Sequence, residues 1–162
     1  MTLKINQIVC ATDFSETSNR ALEYATELTD KFDAELHLLH VIHDPATTMP
    51  YYGDGLVFPA YLEHTAERQE ELEAAAYKQM NPLIDNDWSA AHRVAMAVEH
   101  GVPFVEIVRF AKSVSADLIV IGTHGRTGLK HMLLGSVAER VVQHAPCAVL
   151  TVRPEKHEFE MP

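Results

Sequence analysis

Short apolar runs alternate with longer stretches of helical periodicity along the chain, and this alternation limits the fold more than any other feature. Apolar residues occupy successive positions within each run, as is typical of strands that are covered on both faces. The runs are INQIVCAT, AELHLLHVI, HRVAMAVEHG, ADLIVIG and CAVLTVRP. A chain that alternates strands with helices in this way favours a parallel sheet with helices on both faces. The sequence therefore predicts an α/β fold.

Between these runs, apolar residues recur at helical spacing. This spacing predicts helices over residues 15–32, 60–80, 103–115 and 136–145. Ser15 is a suitable N-cap for the first helix, because its hydroxyl can accept a hydrogen bond from a first-turn amide. Residues 43–59 carry three prolines and two glycines, which predict an irregular loop.

The length of 162 residues fits one domain, which we expect over residues 1–155, with a short, frayed acidic tail at 156–162. Hydrophobic residues at 47% and charged residues at 22% are ordinary for a globular chain. The formal net charge is −10, and no basic run interrupts it. Because duplex binding depends on clustered cations, this charge argues against a nucleic-acid partner.

The amino-terminal residues have neither the apolar core nor the cleavage site of a signal peptide. No stretch approaches the roughly 18 uninterrupted apolar residues of a membrane span. We therefore expect a cytoplasmic protein without direct membrane insertion. Cys10 and Cys147 fall in predicted strands, and we interpret both as reduced, buried hydrophobic residues rather than as a disulfide or a metal pair.

The segment GTHGRTGLKHMLLGS, residues 122–136, follows the fourth apolar run directly. Glycine is costly in backbone entropy, so the four glycines here indicate a segment shaped for close backbone approach. Successive amides of a glycine-rich turn form an anion cradle, and the start of the next helix adds partial positive charge. The segment therefore predicts a phosphate site.

Within that segment, Gly135 permits close approach, and the Ser136 hydroxyl and the Val137 amide can donate to phosphate oxygens. Arg126 or Lys130 can neutralise the remaining charge. The spacing is G-x2-G-x9-G-S. It matches neither the Walker pattern nor the Rossmann G-x-G-x-x-G turn.

With this motif between these strands, the chain resembles a universal stress protein of the subclass that binds ATP. The resemblance covers VCATDFSETSNRALEYATELT, ELHLLHVI and the segment from ADLIVIG to TVRP, whereas residues 47–88 are generic. It implies a three-layer α/β sandwich, similar to the adenine nucleotide alpha hydrolase-like fold, around a five-stranded parallel sheet of order 3-2-1-4-5. The nucleotide would lie across the carboxyl ends of the strands.

The resemblance also implies a role for individual residues. Thr12 and Asp13 would meet the ribose and adenine side, and the Val41 backbone would recognise the adenine edge. The residues expected around the ribose and the phosphates are Gly122, His124, Gly125, Arg126, Gly135, Ser136 and Val137. Magnesium or manganese would accompany the ATP, although the loop offers no obvious carboxylate ligand. By residue pattern alone, Asp13 also fits a helix cap and His124 also fits a solvated turn residue, so both alternatives stay open.

The function implied is that of an ATP-binding regulatory protein of the stress response, whose nucleotide occupancy modulates oligomerisation or contact with an unidentified client, such as a transporter or a signalling protein. The family commonly forms a homodimer through the last strand, here residues 147–153, and a dimer of dimers remains an open extension. We predict no catalytic residue and no metal ligand in the chain. The alternatives are a slow ATPase or autokinase of the same fold, and a dimeric interaction protein without nucleotide.

Overall fold

The computed structural model describes residues 4–43, 59–125 and 134–154, with side chains throughout except at 59–65. Its strands are β1 (Gln7–Thr12), β2 (Glu35–Ile42), β3 (Arg93–His100), β4 (Leu118–Gly122) and β5 (Ala148–Val152). Its α-helices are α1 (Glu16–Phe32), α2 (Pro59–Met80), α3 (Asn86–Ala91), α4 (Pro103–Ser113) and α5 (Ser136–His144). The irregular loop predicted at 43–59 and the tail predicted at 156–162 fall almost wholly outside the described residues.

The five strands form one parallel sheet in the order β3-β2-β1-β4-β5. The predicted fold class and strand order are therefore confirmed. Because β1 lies between β2 and β4, the strand order reverses beside β1. In open α/β sheets this reversal leaves a crevice at the carboxyl ends of the strands, and ligands bind there.

Successive residues of β1 are buried on opposite faces of the sheet, which explains its continuous apolar run. Ile8 and Cys10 pack in one hydrophobic cluster, and Val9 and Ala11 pack in the other. The fully buried side chains that fill these two layers include Leu36, Leu38 and Met80 on the first side and Ile119 and Val141 on the second. Helices therefore cover both faces, as the sequence predicts.

Helix α1 begins at the N-cap expected from the sequence. The Ser15 hydroxyl accepts a hydrogen bond from the Ser18 amide at 3.2 Å. At the other end, Asp33 adopts a left-handed conformation with φ 51°, and its amide bonds the Thr29 carbonyl. A left-handed residue at this position is a common helix stop. Both ends of α1 are thus defined by local hydrogen bonds.

A short helix, α3, lies where the sequence pattern predicts no helix. Pro82 follows α2 and starts a single turn of 3-10 helix over Asn81–Leu83. The Asp85 carboxylate then caps α3 by accepting hydrogen bonds from the amides of Asp87 and Trp88, both at 2.9 Å. Six residues are too few to show helical periodicity, so the cap is the only signal that the sequence offers.

Among the described residues, no helix is long and apolar enough to cross a membrane.

Both cysteines are unpaired, but they differ in burial. Cys10 is buried in the centre of the sheet, and desolvation raises its pKa to about 12. Cys147 is only partly buried, so the expectation of burial holds for Cys10 alone. Burial also raises the pKa of Cys147, and the nearby Asp117 carboxylate adds to this effect.

We predict that Cys10 does not react with iodoacetamide in the native protein at about pH 8, because the thiolate is the nucleophile and burial suppresses it. Peptide mass spectrometry should find Cys10 alkylated only after denaturation, and the denatured sample serves as the positive control. Modification of Cys10 at comparable rates with and without denaturant would show that the sheet opens readily around β1.

Candidate functional site

A hollow with a volume of about 450 Å³ lies at the carboxyl ends of β1, β2 and β4. This volume falls within the usual range for small-molecule sites, and the position is the crevice expected beside β1. The lining residues are Ala11, Thr12, Asp13, Ser18, Leu39, Val41, His43, Pro103, Ile107, Ile121, Gly122, Thr123, His124, Gly125, Gly135, Ser136, Val137 and Ala138. The structure thus brings together residues from four separate strand–helix connections.

One end of the hollow is formed by the first turn of α5. The N-cap of this helix is Gly135, which provides no side-chain cap, and Ser136, Val137 and Ala138 all line the hollow. The first amides of a helix have no partner within the helix and carry partial positive charge. This end of the hollow is therefore suited to an anionic group.

The start of α5 is fixed by backbone contacts around Thr123, whose side chain is fully buried. The Gly135 amide donates to the Thr123 carbonyl at 2.6 Å, and the Thr123 amide donates to the Val152 carbonyl at 2.8 Å. A Cβ atom on Gly135 would lie 2.9 Å from the Thr123 carbonyl oxygen. This approach between two backbone segments leaves no room for a side chain at Gly135.

The other two motif glycines are also packed against the chain itself. A Cβ on Gly122 would lie 2.9 Å from Thr17 Cγ2 and 3.1 Å from the Thr17 carbonyl carbon. A Cβ on Gly125 would lie 2.6 Å from Asp13 Oδ2. The sequence pattern indicates close approach to a ligand, but the atoms that approach these glycines are those of α1 and of Asp13. Backbone atoms of Thr17 therefore exclude a side chain at Gly122, whether or not a ligand contacts it, whereas at Gly125 the approaching atom belongs to the Asp13 side chain.

Asp13 lies in the turn between β1 and α1. Its Oδ1 accepts hydrogen bonds from the Ser15 amide at 3.1 Å and the Ser15 hydroxyl at 2.6 Å. The helix cap is therefore Ser15, and Asp13 orients that cap instead of replacing it. The carboxylate lies beside Gly125, which joins the turn after β1 to the loop after β4.

Two further contacts hold this turn in place. Phe14 has a positive φ of 66°, an uncommon conformation for a residue with a large side chain, and its amide donates to Thr12 Oγ1 at 3.1 Å. The ring of His40 packs against Phe14 with 4.4 Å between centroids, and His40 Nδ1 lies 2.8 Å from the Thr12 carbonyl oxygen. Because a carbonyl only accepts, Nδ1 is the donor. The turn thus presents Thr12 and Asp13 in a fixed position.

The end of the hollow at β2, which lies across β1 from β4, is apolar. It is lined by Leu39 and Val41 of β2 and by Pro103 and Ile107 of α4, whose side chains are all hydrocarbon. His43 completes this wall, with its Nδ1 3.1 Å from the Gly101 carbonyl oxygen. The hollow therefore has a polar end at α5 and an apolar end between β2 and α4.

All the predicted site residues within the described ranges line this hollow. They are Thr12, Asp13, Val41, Gly122, His124, Gly125, Gly135, Ser136 and Val137. His124 is partly buried, and its Nδ1 lies 2.9 Å from the Thr123 hydroxyl. Arg126, like Lys130, lies outside the described residues.

The sequence pattern did not single out His43, Pro103, Ile107 or Thr123 as site residues. A usable signal existed for two of them. His43 shares the parity of Val41 along β2, and Pro103 begins the helix that follows β3 at the same edge of the sheet. Thr123 carries no such signal, because its role depends on a long-range contact with Val152.

Histidines elsewhere in β2 have structural partners. The ring of His37 is hydrogen-bonded through Nε2 to Gln7 Oε1 at 2.6 Å, and desolvation lowers the pKa of His37 while the Glu35 carboxylate partly opposes this. Among the residues that the structure describes, no three His, Cys, Asp or Glu side chains form a group that could hold a metal ion.

Comparison with known proteins places this geometry in a family. The model of the universal stress protein family matches residues 4–153. Universal stress protein MJ0531 of Methanocaldococcus jannaschii is 39% identical over 153 residues, which cover 94% of this chain and 84% of that protein. The solved structure of MJ0577, described as a structure-based assignment of biochemical function, has a TM-score of 0.80 at 29% identity and covers 95% of this chain and 99% of that one.

A universal stress protein solved in complex with cAMP is similar in fold. Its TM-score is 0.62 at 22% identity, and the match covers 93% of this chain and 98% of that one. At this identity the likeness concerns the fold alone. The family match and the relative at 39% identity agree with the sheet order that the resemblance implies. The chain belongs to the universal stress protein family.

Proposed function

We propose that the hollow binds an adenine nucleotide, ATP, and that its occupancy modulates oligomerisation or contact with a client protein. The observation that carries this proposal is the polarity of the hollow: the start of an uncapped helix lies at one end and a hydrocarbon wall at the other, within about 450 Å³. A nucleotide has the same polarity, since an anionic phosphate chain and a largely apolar base lie at its two ends.

The phosphates are assigned to the end formed by α5. The amides of its first turn and the exposed hydroxyl of Ser136 supply donors, and the helix adds partial positive charge. The Asp13 carboxylate would repel phosphate, which favours placing the phosphates away from the turn after β1. Arg126 is the cation that we assign to this end, on the basis of its place in the loop sequence.

The ribose is assigned to the middle of the hollow. Asp13 and the backbone at Gly125 border this region, and carboxylates accept hydrogen bonds from hydroxyl groups. Thr12 belongs to the same turn, and His124 lies on the side of the loop after β4. These residues would fix the sugar between the two ends.

The base is assigned to the wall of Leu39, Val41, Pro103 and Ile107, where a flat ring can displace water from hydrocarbon surface. The Val41 backbone would bond the adenine edge. Support for an adenine nucleotide also comes from the fold, because a protein of this fold is solved with cAMP. The assignment to this chain rests on the hollow itself.

Magnesium or manganese would reach the site with the phosphates, where it would neutralise their charge. Asp13 is the only carboxylate in the described lining, and its Oδ1 is already engaged by Ser15. The described residues therefore do not form a metal site by themselves.

The hydrogen bonds from Ser15 to the Asp13 carboxylate favour a binding protein over the alternative of a slow ATPase or autokinase, because this carboxylate orients a helix cap.

The direct test is to purify the protein without added nucleotide, denature it, and identify the released compounds by mass spectrometry. We predict either co-purified ATP near one per chain or, for empty protein, a rise in melting temperature on addition of ATP and magnesium, because a ligand that binds only the native state stabilises it. Empty protein that shows no such rise would contradict the proposal. Release of ADP together with sustained turnover of added ATP would favour the alternative function, a slow ATPase or autokinase.

Ser136→Glu should separate phosphate binding from fold stability. A carboxylate at the first position of α5 interacts favourably with the helix dipole, by about 0.3–1 kcal/mol, so the nucleotide-free protein should retain its melting temperature. The same carboxylate lies where we place the phosphates, so the affinity for ATP measured by calorimetry should fall at least about tenfold.

Asn86→Glu is the matched control for Ser136→Glu. It adds the same charge at the first position of another helix, α3, on an exposed residue outside the hollow. Its affinity for ATP should equal that of the unmodified protein. Equal ATP affinity in both variants would show that the phosphates do not lie at α5.

We also propose a homodimer formed through residues 147–153, on which two copies of β5 pair. This strand lies at the end of the sheet, and its side chains from Ala148 to Thr151 are exposed or only partly buried. An apolar edge strand is prone to pair with another strand. The client protein and any dimer of dimers are further parts of the proposal for which no described residue is assigned.

Sedimentation equilibrium should give twice the mass of one chain, and runs with and without ATP should show whether nucleotide drives further assembly. The mass of a single chain at concentrations of about 50 μM would rule out a dimer of useful affinity, since at that concentration a micromolar interface is mostly occupied.

A further inference from the structure

We propose that His43 contributes to the base specificity of the site, in addition to the Val41 backbone that we place at the adenine edge. Its ring lines the hollow and carries a hydrogen-bond acceptor, which favours a purine with an amino group at position 6 over a purine with a carbonyl there. This inference rests on the proposed nucleotide function. It concerns a side chain that the motif and the resemblance do not mark.

The first step is the fixed position of the Gly101 carbonyl. Gly101 has a φ of +145°, and a Cβ there would lie 2.8 Å from Glu106 Oε1, so only glycine fits without strain. The Gly101 amide donates to the Ile42 carbonyl at 3.0 Å. The turn between β3 and α4 is thereby attached to the end of β2, directly beside His43.

The second step is the tautomer of His43. Its Nδ1 lies 3.1 Å from the Gly101 carbonyl oxygen, and a carbonyl can only accept a hydrogen bond. Nδ1 therefore carries the proton. In a neutral imidazole with the proton on Nδ1, the other nitrogen, Nε2, is an acceptor. The fixed carbonyl thus sets the hydrogen-bonding character of the remaining nitrogen.

The third step is the surroundings of the ring. His43 is exposed and lines the hollow beside Leu39, Val41, Pro103 and Ile107. The side chains of these four neighbours cannot form hydrogen bonds. Within the described wall at this end, His43 is therefore the side chain that can distinguish one base edge from another.

The two kinds of purine differ in the group that they present. Adenine carries an amino donor at position 6, whereas hypoxanthine and guanine carry an acceptor oxygen there. An acceptor on His43 pairs with the amino group and repels the oxygen. The class of ligand selected is therefore the 6-aminopurine nucleotides.

The test compares ATP with inosine triphosphate, which has a carbonyl in place of the 6-amino group and the same phosphate chain. Dissociation constants are measured by competition against a fluorescent ATP analogue, in the same buffer for both nucleotides. The ratio of the two constants cancels effects on phosphate binding. We expect ATP to bind about 3- to 10-fold more tightly than inosine triphosphate, the range of one neutral hydrogen bond.

His43→Ala should reduce this ratio, and His43→Lys should reduce it further, because a lysine ammonium only donates and so favours the carbonyl. His144→Ala is the matched control, since His144 is also exposed, bonds a carbonyl through Nδ1 (that of Arg140, at 2.8 Å) and lies outside the hollow. This control should leave the ratio unchanged.

The outcomes separate the two proposals. If neither nucleotide binds the unmodified protein, the proposed function fails and the inference fails with it. If both bind with equal affinity, or if the ratio is the same in His43→Ala and His43→Lys as in the unmodified protein, nucleotide binding stands and the role of His43 is wrong.

Discussion

The hydrogen bond from the Gly135 amide to the Thr123 carbonyl is the contact on which the site most depends. It joins the end of β4 to the start of α5, and the Thr123 amide attaches the same point to β5. The orientation of α5 over the crevice follows from this junction, and so does the direction in which its unpaired amides point. Without it, the sheet would have a crevice beside β1 but no polar end to the hollow.

The hollow is assembled from every connection that reaches the carboxyl edge of the sheet near β1. The turn after β1 provides Asp13, the end of β2 provides Val41, the turn after β3 provides Pro103, and the loop after β4 provides Gly125. These connections are distant from one another in sequence but adjacent in space, because parallel strands bring their carboxyl ends to one edge. The two chemical ends of the hollow therefore come from different parts of the chain, and neither is complete within one motif.

The strands are predictable from the sequence because burial on both faces requires apolar residues at successive positions. Ile8 and Val9 point to opposite sides of the sheet, yet both must be apolar. Ser15 is predictable for a similar reason, since a helix cap acts within a few residues. Helix α3 is not, because its six residues are too few for a period to appear.

The site is predictable in part. Gly122 and Gly135 are recognisable as residues of close approach, but the approaching atoms belong to Thr17 and Thr123, and no local pattern identifies them. The parity of His43 along β2 indicates its place at the site, but its hydrogen-bonding character depends on Gly101, which is distant in sequence. Contacts between distant residues thus account for what the motif alone does not explain.

The junction at Thr123 also bears on how the family can diversify. The Gly135 amide donates to the Thr123 carbonyl, so the chain closes on itself between two residues that are distant in sequence. The entropy of closing such a loop depends only weakly on its length, and doubling the length costs about 0.6 kcal/mol. A change in the number of residues between Thr123 and Gly135 therefore costs little in closure entropy, so the start of α5 can keep its position in relatives in which that number differs.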